Sequence, residues 1–188
     1  MTEKSISTQF AKFQYFYPYT VALIGAKTGE RANFMSCAWH TALSFDPPLF
    51  GVLISKKRFT HQVITEAKEF TVNFIRSDQA LLSAQYGRKS GFDLVKTERF
   101  PVQLNPSRII QSPVIGNAYA CFECRLEEIR TYGDHDLFVG KVMAIHEEEL
   151  GFSEEGVLDP RKIQPLLYLG SDFYCTVDPG SMARVLPD

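Results

Sequence analysis

The sequence predicts an all-β fold, an antiparallel barrel decorated by a few inserted helices. Three observations carry that reading. Apolar residues alternate with a period of two through many short runs, helical spacing is confined to two short stretches, and strands and helices never alternate as βαβ units. At 188 residues the chain suits one domain, 1–188, long enough to bury a core without disulfides or metal.

The elements follow in order. Residues 20–28 (TVALIGAKT) read as a strand, and residues 31–44 (RANFMSCAWHTALS) as a longer one with small residues at its centre. Asp46-Pro47-Pro48 forces a turn, because two prolines fix φ and withdraw two amide donors. Residues 49–55 (LFGVLIS) are apolar enough for a buried strand. Residues 60–68 place Val63, Ile64 and Ala67 at helical spacing with Thr60 as the candidate cap, and residues 70–75 (FTVNFI) return to strand. A helical stretch over 78–86, a glycine-broken segment over 86–94 and short strands over 101–112 come next. A long hairpin then turns at TYGDHD and ends near His146, where Gly133-Asp134 supplies the turn chemistry. In the loop-rich tail, residues 164–174 (QPLLYLGSDFY) are the most ordered part.

Composition excludes several classes of function. Twenty basic against 22 acidic residues, a net charge of -2, argue against a surface devoted to nucleic acid or acidic lipid. No apolar run has the length of a signal peptide or a membrane span, so the expectation is a soluble, cytoplasmic protein. Cys121 and Cys124 have CxxC spacing but lie in strand-like residues 118–129, where residues three apart face opposite ways and cannot share a metal. No metal site is expected. GxGxxG, P-loop and GxSxG motifs are absent, which removes support for Rossmann, P-loop and α/β-hydrolase chemistry.

One stretch has the makings of an anion site. In LISKKRFTHQV, residues 53–63, a strand ends at Ser55, three cations follow, and Thr60 opens a helix. Helix-start amides attract an anion, hydroxyls of Ser55 and Thr60 can donate to it, and Arg58 can grip two oxygens. A solvated basic turn with an ordinary cap is the alternative. The small and hydroxyl residues around Trp39 would let a flat ligand approach the backbone, or equally a tightly packed barrel strand. His135 is not needed by its hairpin turn, so it is either solvated or stands at the rim of a site. His40 is expected to be structural or interfacial, His61 to be solvated or to add to the anion field, and His146 to end a solvated strand.

The run from Asn33 to Ile75, together with SGxD at Ser90, Gly91 and Asp93, the GDH turn at residues 133–135 and PLLYLG over 165–170, resembles the flavin reductase-like FMN-binding split barrels, which include flavoredoxin. The resemblance spans about residues 16 to 175. It implies a dimeric split β-barrel with one FMN per subunit near the dimer interface. Carried over by residue, it implies that Ser55, Arg58 and Thr60 serve the phosphate, that Ser36, Cys37, Ala38, Trp39 and Thr41 lie beside the isoalloxazine ring, and that Ser90 and Gly91 close over it. It also places His135 near the ring and the nicotinamide. Phe92 stands where many relatives carry a charged residue.

The implied activity is NAD(P)H-dependent flavin reduction, with hydride passed from NAD(P)H to bound FMN and electrons on to an acceptor. A flavoredoxin-like electron carrier acting on a protein acceptor, and a barrel that merely binds a phosphorylated ligand, are the rival readings. The aromatic segment FAKFQYFYPY, residues 10–19, suggests packing on a partner subunit as well as on its own barrel.

Overall fold

A computed structural model describes residues 3–9 and 13–186; Phe10 of the aromatic segment lies outside the described residues. The first expected strand divides at Val21. β1 (Tyr19–Thr20) leaves to pair with the tail, and β2 (Ala22–Thr28) turns back through Gly29, at φ 54°, into β3 (Arg31–Cys37). The expected strand 31–44 is also two strands. β3 ends at Cys37, residues 38 and 39 leave the ladder, and β4 (His40–Phe45) begins. β3 pairs with β2 whereas β4 pairs with β5 (Pro48–Ser55), and no straight strand can serve partners on opposite sides of a barrel seam. The Leu53 amide donates to the Trp39 carbonyl at 2.9 Å, which joins the two sides of that seam.

α1 (Phe59–Ala67) starts one residue before the expected position, with extended Arg58 at its N-cap and no side-chain cap. Thr60, the expected cap, is buried inside the first turn, and its hydroxyl accepts from Asn33 Nδ2 at 2.7 Å. β6 (Glu69–Phe74) follows. The expected helix 78–86 opens as a 3₁₀ turn at Ser77–Gln79 and continues as α2 (Ala80–Arg88), with α3 (Lys96–Arg99) a single turn beyond. Of the strands expected over 101–112 only β7 (Leu104–Asn105) forms, against β8 (Val114–Ile115). β9 (Ala120–Tyr132) and β10 (His135–Glu147) make the long hairpin, and β11 (Leu167–Gly170) and β12 (Phe173–Cys175) close the fold.

The barrel is one antiparallel sheet in the order β3-β2-β6-β9-β10-β5-β4, and β1, β11 and β12 form a small sheet beside it. Alternation does what the sequence suggests. Ile24 of β2, Val52 and Ile54 of β5, and Phe70 and Val72 of β6 point inward and are fully buried, while α1 adds Val63 and Ile64 to the same core. Each such side chain contributes about 1.5–3 kcal/mol by leaving water. Space there is tight: a Cβ on Gly140 of β10 would meet Phe70 at 2.5 Å and the Cβ of Cys124 at 2.8 Å. Cys124 is part of that core, whereas Cys121 faces outward with its thiol 3.7 Å from the Ile115 carbonyl, so the CxxC pair is split across the strand.

Residues 106–113 are held by side chains. Glu69 accepts from the amides of Gln111 and Ser112, and fully buried Glu123 accepts from those of Arg108, Ile109 and Ile110 at 2.7 to 3.1 Å. His146, expected to be solvated, instead bonds Glu123 through Nε2 at 2.6 Å, because it lies directly across the ladder from Cys121 on the same face as that carboxylate. Burial pushes the Glu123 carboxyl up, but these donors outweigh it and hold it below the usual range.

The free edge of β3 is covered by cations rather than by another strand. Lys96 is 4% exposed and donates to the carbonyls of Phe34, at 2.9 Å, and Tyr86, at 2.8 Å. The first belongs to an edge strand and the second to the last turn of α2, both places where carbonyls lack ladder or helix partners. Arg31 donates to Gly91 and Leu94 carbonyls and stacks 4.5 Å over Phe59. Burial, helped by the charge of Arg58, lowers the Lys96 ammonium to about 8. Between that value and an unfolded pKa of about 10.4 the unfolded chain binds the extra proton, so stability gains with rising pH. Urea unfolding of the parent and Lys96→Met should therefore show the parent gaining on the variant by roughly 2 to 3 kcal/mol from pH 8 to 10.5. A constant difference would mean that this ammonium does not titrate there.

Candidate functional site

Where residues 38 and 39 leave the ladder, the outer wall of the barrel opens into a cavity of about 240 Å³. Ser36, Cys37, Ala38 and Trp39 form one wall, and Ser55 and Arg58, from the end of β5 and the following loop, form the next. His135 enters from the β9–β10 hairpin. Its turn has only two residues, with Gly133 at φ 62°, so Tyr132 pairs with His135 and His135 in turn pairs with Ser55. That register carries the imidazole to 5.0 Å from the Trp39 ring, tilted by 42°. Nδ1 lies 2.8 Å from Asp134 Oδ1, and this bond holds the Asp134 carboxyl below its usual range.

Two further walls had no place in the sequence reading. Helix α2 contributes Ser83, Ala84, Gly87 and Arg88, and the N-terminal segment and tail contribute Tyr17, Tyr168, Asp172 and Tyr174. A signal for the helix was present: Ser83, Ala84 and Gly87 are small residues on one helical face, the face a ligand or another backbone can approach. The tail hairpin turns at Ser171 and Asp172, both with positive φ, and Asp172 there takes a bidentate pair from Arg88 at 2.6 to 3.1 Å. Tyr17, Tyr168 and Tyr174 pack ring to ring at 5.6 and 5.2 Å, and Trp39 Nε1 donates to the Tyr17 hydroxyl at 3.0 Å. From the aromatic N-terminal segment Phe13 also reaches Trp39, at 6.2 Å, while Tyr15 is 93% exposed.

The polar groups divide by chemistry. Arg58 donates to the Gly87 carbonyl at 3.2 Å beside the first amides of α1, which no side chain caps. Ser36 and Ser83 hydroxyls are 2.7 Å apart, and Ser83 donates to Tyr174 at 3.3 Å. Cys37 is buried, and desolvation pushes its thiol up to about 12, so it is protonated and unreactive at neutral pH. The cavity thus offers aromatic walls for a flat ring, hydroxyls for a polyol, and a cation for an anion. Among the described residues no group of three or more His, Cys, Asp or Glu could hold a metal ion, and no helix is long and apolar enough to cross a membrane.

Seven of the eleven sequence-selected residues line this one cavity: Ser36, Cys37, Ala38, Trp39, Ser55, Arg58 and His135. The other four stand apart. The break before β4 turns Thr41 into a second, apolar groove of about 550 Å³ together with His40, Phe45 and Phe122. His40 is structural as expected, buried with Nε2 2.8 Å from the Thr20 carbonyl and its ring stacked on Phe50. Thr60 is the buried acceptor described above. Ser90 caps the Phe92 amide at 3.1 Å, and Gly91 is packed so closely that a Cβ would meet Phe59 at 2.3 Å. Phe92, 59% exposed, leans on Phe59 at 5.0 Å. His61 meets neither expectation: its side chain turns inward and binds Asp136.

The FMN-binding protein of Thermus thermophilus, solved with bound 1-cyclohex-2-enone, is 36% identical and covers 98% of this chain and 100% of its own, with a TM-score of 0.87. Flavoredoxin from Methanosarcina acetivorans is 29% identical over 97% of this chain and 95% of its own, with a TM-score of 0.84. The FMN reductase (NADH) SmoA of Agrobacterium fabrum is 32% identical over 65% of this chain and 67% of its own length. The family model for the flavin reductase like domain matches residues 14–176. On that match, and on a split antiparallel barrel with its cavity at the seam, the chain belongs to the flavin reductase-like, flavoredoxin-like family.

Proposed function

We propose that the seam cavity binds FMN and that the protein is an NAD(P)H-dependent flavin reductase. The observation that carries this is the meeting, in one cavity, of Trp39 and His135 with Ser55 and Arg58. The residues fit the ligand. Arg58 and Ser55 would take the phosphate, Ser36 and Ser83 the polyol chain, and the small residues from Ser36 to Ala38 with Trp39 the ring system. FMN, when bound, supplies the redox chemistry, accepting hydride from NAD(P)H and passing electrons on. The chain's own task is to exclude water with its tyrosines and to hold the reacting rings in contact.

His135 is the candidate catalytic group. One ring nitrogen of an imidazole can donate a hydrogen bond and the other accept one, and this ring stands at the cavity mouth. Thr41, Thr60, Ser90 and Gly91, outside the cavity of one subunit, would support it indirectly or from a second subunit. The apolar groove around Phe45, which is 96% exposed, supports a homodimer. The likeness to flavoredoxin supports a second reading, an FMN electron carrier serving a protein acceptor without direct NAD(P)H activity.

The protein should bind FMN more tightly than riboflavin, and Arg58→Ala should weaken FMN by about 1.5 to 3 kcal/mol, the scale of hydrogen bonds to charged groups, with little effect on riboflavin. Equal titration curves for the two flavins would remove the phosphate site. Stopped-flow bleaching under excess NADH or NADPH tests the enzyme reading, and no bleaching with either nucleotide favours the carrier. His135→Asn should slow bleaching about tenfold, roughly 1.4 kcal/mol in the barrier, at nearly unchanged FMN affinity. Light scattering at micromolar concentration should return twice the 21.3 kDa mass of one chain.

A further inference from the structure

The residue after His135 points the other way along β10 and is 4% exposed. Asp136 Oδ2 lies 2.7 Å from Nε2 of His61, in the first turn of α1, and Oδ1 lies 3.5 Å from the ammonium of Lys56. Lys56 also reaches Thr131 on β9, at 3.4 Å, and the His61 ring packs on Phe138 two residues along β10, at 4.9 Å. One buried carboxylate therefore touches both ends of the loop that carries Ser55 and Arg58, while the neighbouring residue of its own strand is His135. Burial pushes this carboxyl up, yet hydrogen bonding to His61 and Thr131 and the charge of Lys56 outweigh it, so the group stays ionised.

We infer that the Asp136–His61 pair is a positioning device that sets the anion-binding loop and His135 in register with one another across the cavity. The inference rests on the flavin-binding reading for its functional meaning but not for its geometry. A buried carboxylate held by an imidazole contributes little net stability against apolar replacements, yet it fixes one arrangement, since leaving the carboxylate buried and without its donor is strongly unfavourable. The β5–β10 ladder already pairs Ser55 with His135 through the backbone; the carboxylate fixes the three residues beyond Ser55, which no ladder holds. Coupling of this kind predicts that disturbing the loop side of the pair is felt at His135.

The chain contains its own probe, because its single tryptophan is Trp39, the ring that faces His135. In the ligand-free protein, Asp136→Ala and His61→Leu should each change Trp39 emission, and in a His135→Asn background Asp136→Ala should change it no further. With flavin, the FMN-over-riboflavin preference should fall about fivefold or more in both variants, the scale of coupling within one ion-pair network. Asp136→Asn, which keeps an acceptor oxygen for His61, should restore both readouts to within about twofold of the parent. Folded Asp136→Ala or His61→Leu protein with parental emission and parental flavin preference would overturn the inference, as would Asp136→Asn behaving like Asp136→Ala. If the parent binds no FMN, the proposed function fails by itself, and the emission series on ligand-free protein still decides the positioning role.

Discussion

The structure depends on one crossing of the backbone, where the chain leaves β2 at Cys37 and joins β5 at His40. A barrel of this strand order must close by such a transfer, since β3 and β4 are the two outer strands of the sheet. The transfer takes two residues out of the ladder, and the Trp39 carbonyl recovers a partner in the Leu53 amide. What it leaves is a gap in the outer wall bordered by small side chains, with Trp39 thrown to one side. α2, the tail hairpin and the β9–β10 turn then all meet at that gap.

Strand pairing brings the β9–β10 turn and the tail to the gap, but α2, residues 89–99 and the loop after β5 have no strand to pair with there. They are tied by charges instead. Lys96 and Arg31 fasten residues 86–99 to the rim of β3 through backbone carbonyls, Arg88 fastens the tail through Asp172, and Asp136 fastens the helix that follows β5. A buried charge is tolerated only where donors or acceptors surround it, and backbone groups of an open edge or a helix end are the ready supply. The same logic serves Glu123, whose carboxylate replaces the ladder that residues 108–110 never form.

That division explains what the sequence disclosed. Alternation in FTVNFI and the glycine at the hairpin turn are local signals, and the β6 face and the His135 position followed from them directly. Residues 31–44 read as one strand because period-two alternation is local too and says nothing of a change of partner midway. The pairs Arg88 with Asp172 and His61 with Asp136 join residues 84 and 75 positions apart, so neither spacing nor composition could connect them. Thr60 has the residue type of a helix cap, a role that the side-chain amide of Asn33, 27 positions earlier, removes. Helix α2 is legible in the sequence as a helical stretch over 78–86, whereas the part its small residues Ser83, Ala84 and Gly87 play in the cavity wall is visible only in the structure.

The position of His135 also decides which of its nitrogens can act. A carboxylate only accepts hydrogen bonds, so the contact with Asp134 requires the proton on Nδ1. The neutral ring then presents a lone pair at Nε2, and the charged ring presents a proton there. A turn made of glycine and aspartate thus does two jobs. Gly133 provides the backbone angle, and Asp134 selects the tautomer of the next residue. Asparagine or glutamine at 135 could offer a donor or an acceptor to the cavity, but neither could exchange one for the other at a single atom by taking up a proton. Solvent decoration needs no chosen tautomer and no tryptophan 5.0 Å away; an imidazole that must hand over or receive a hydrogen bond at the cavity mouth needs both a fixed ring and a free nitrogen.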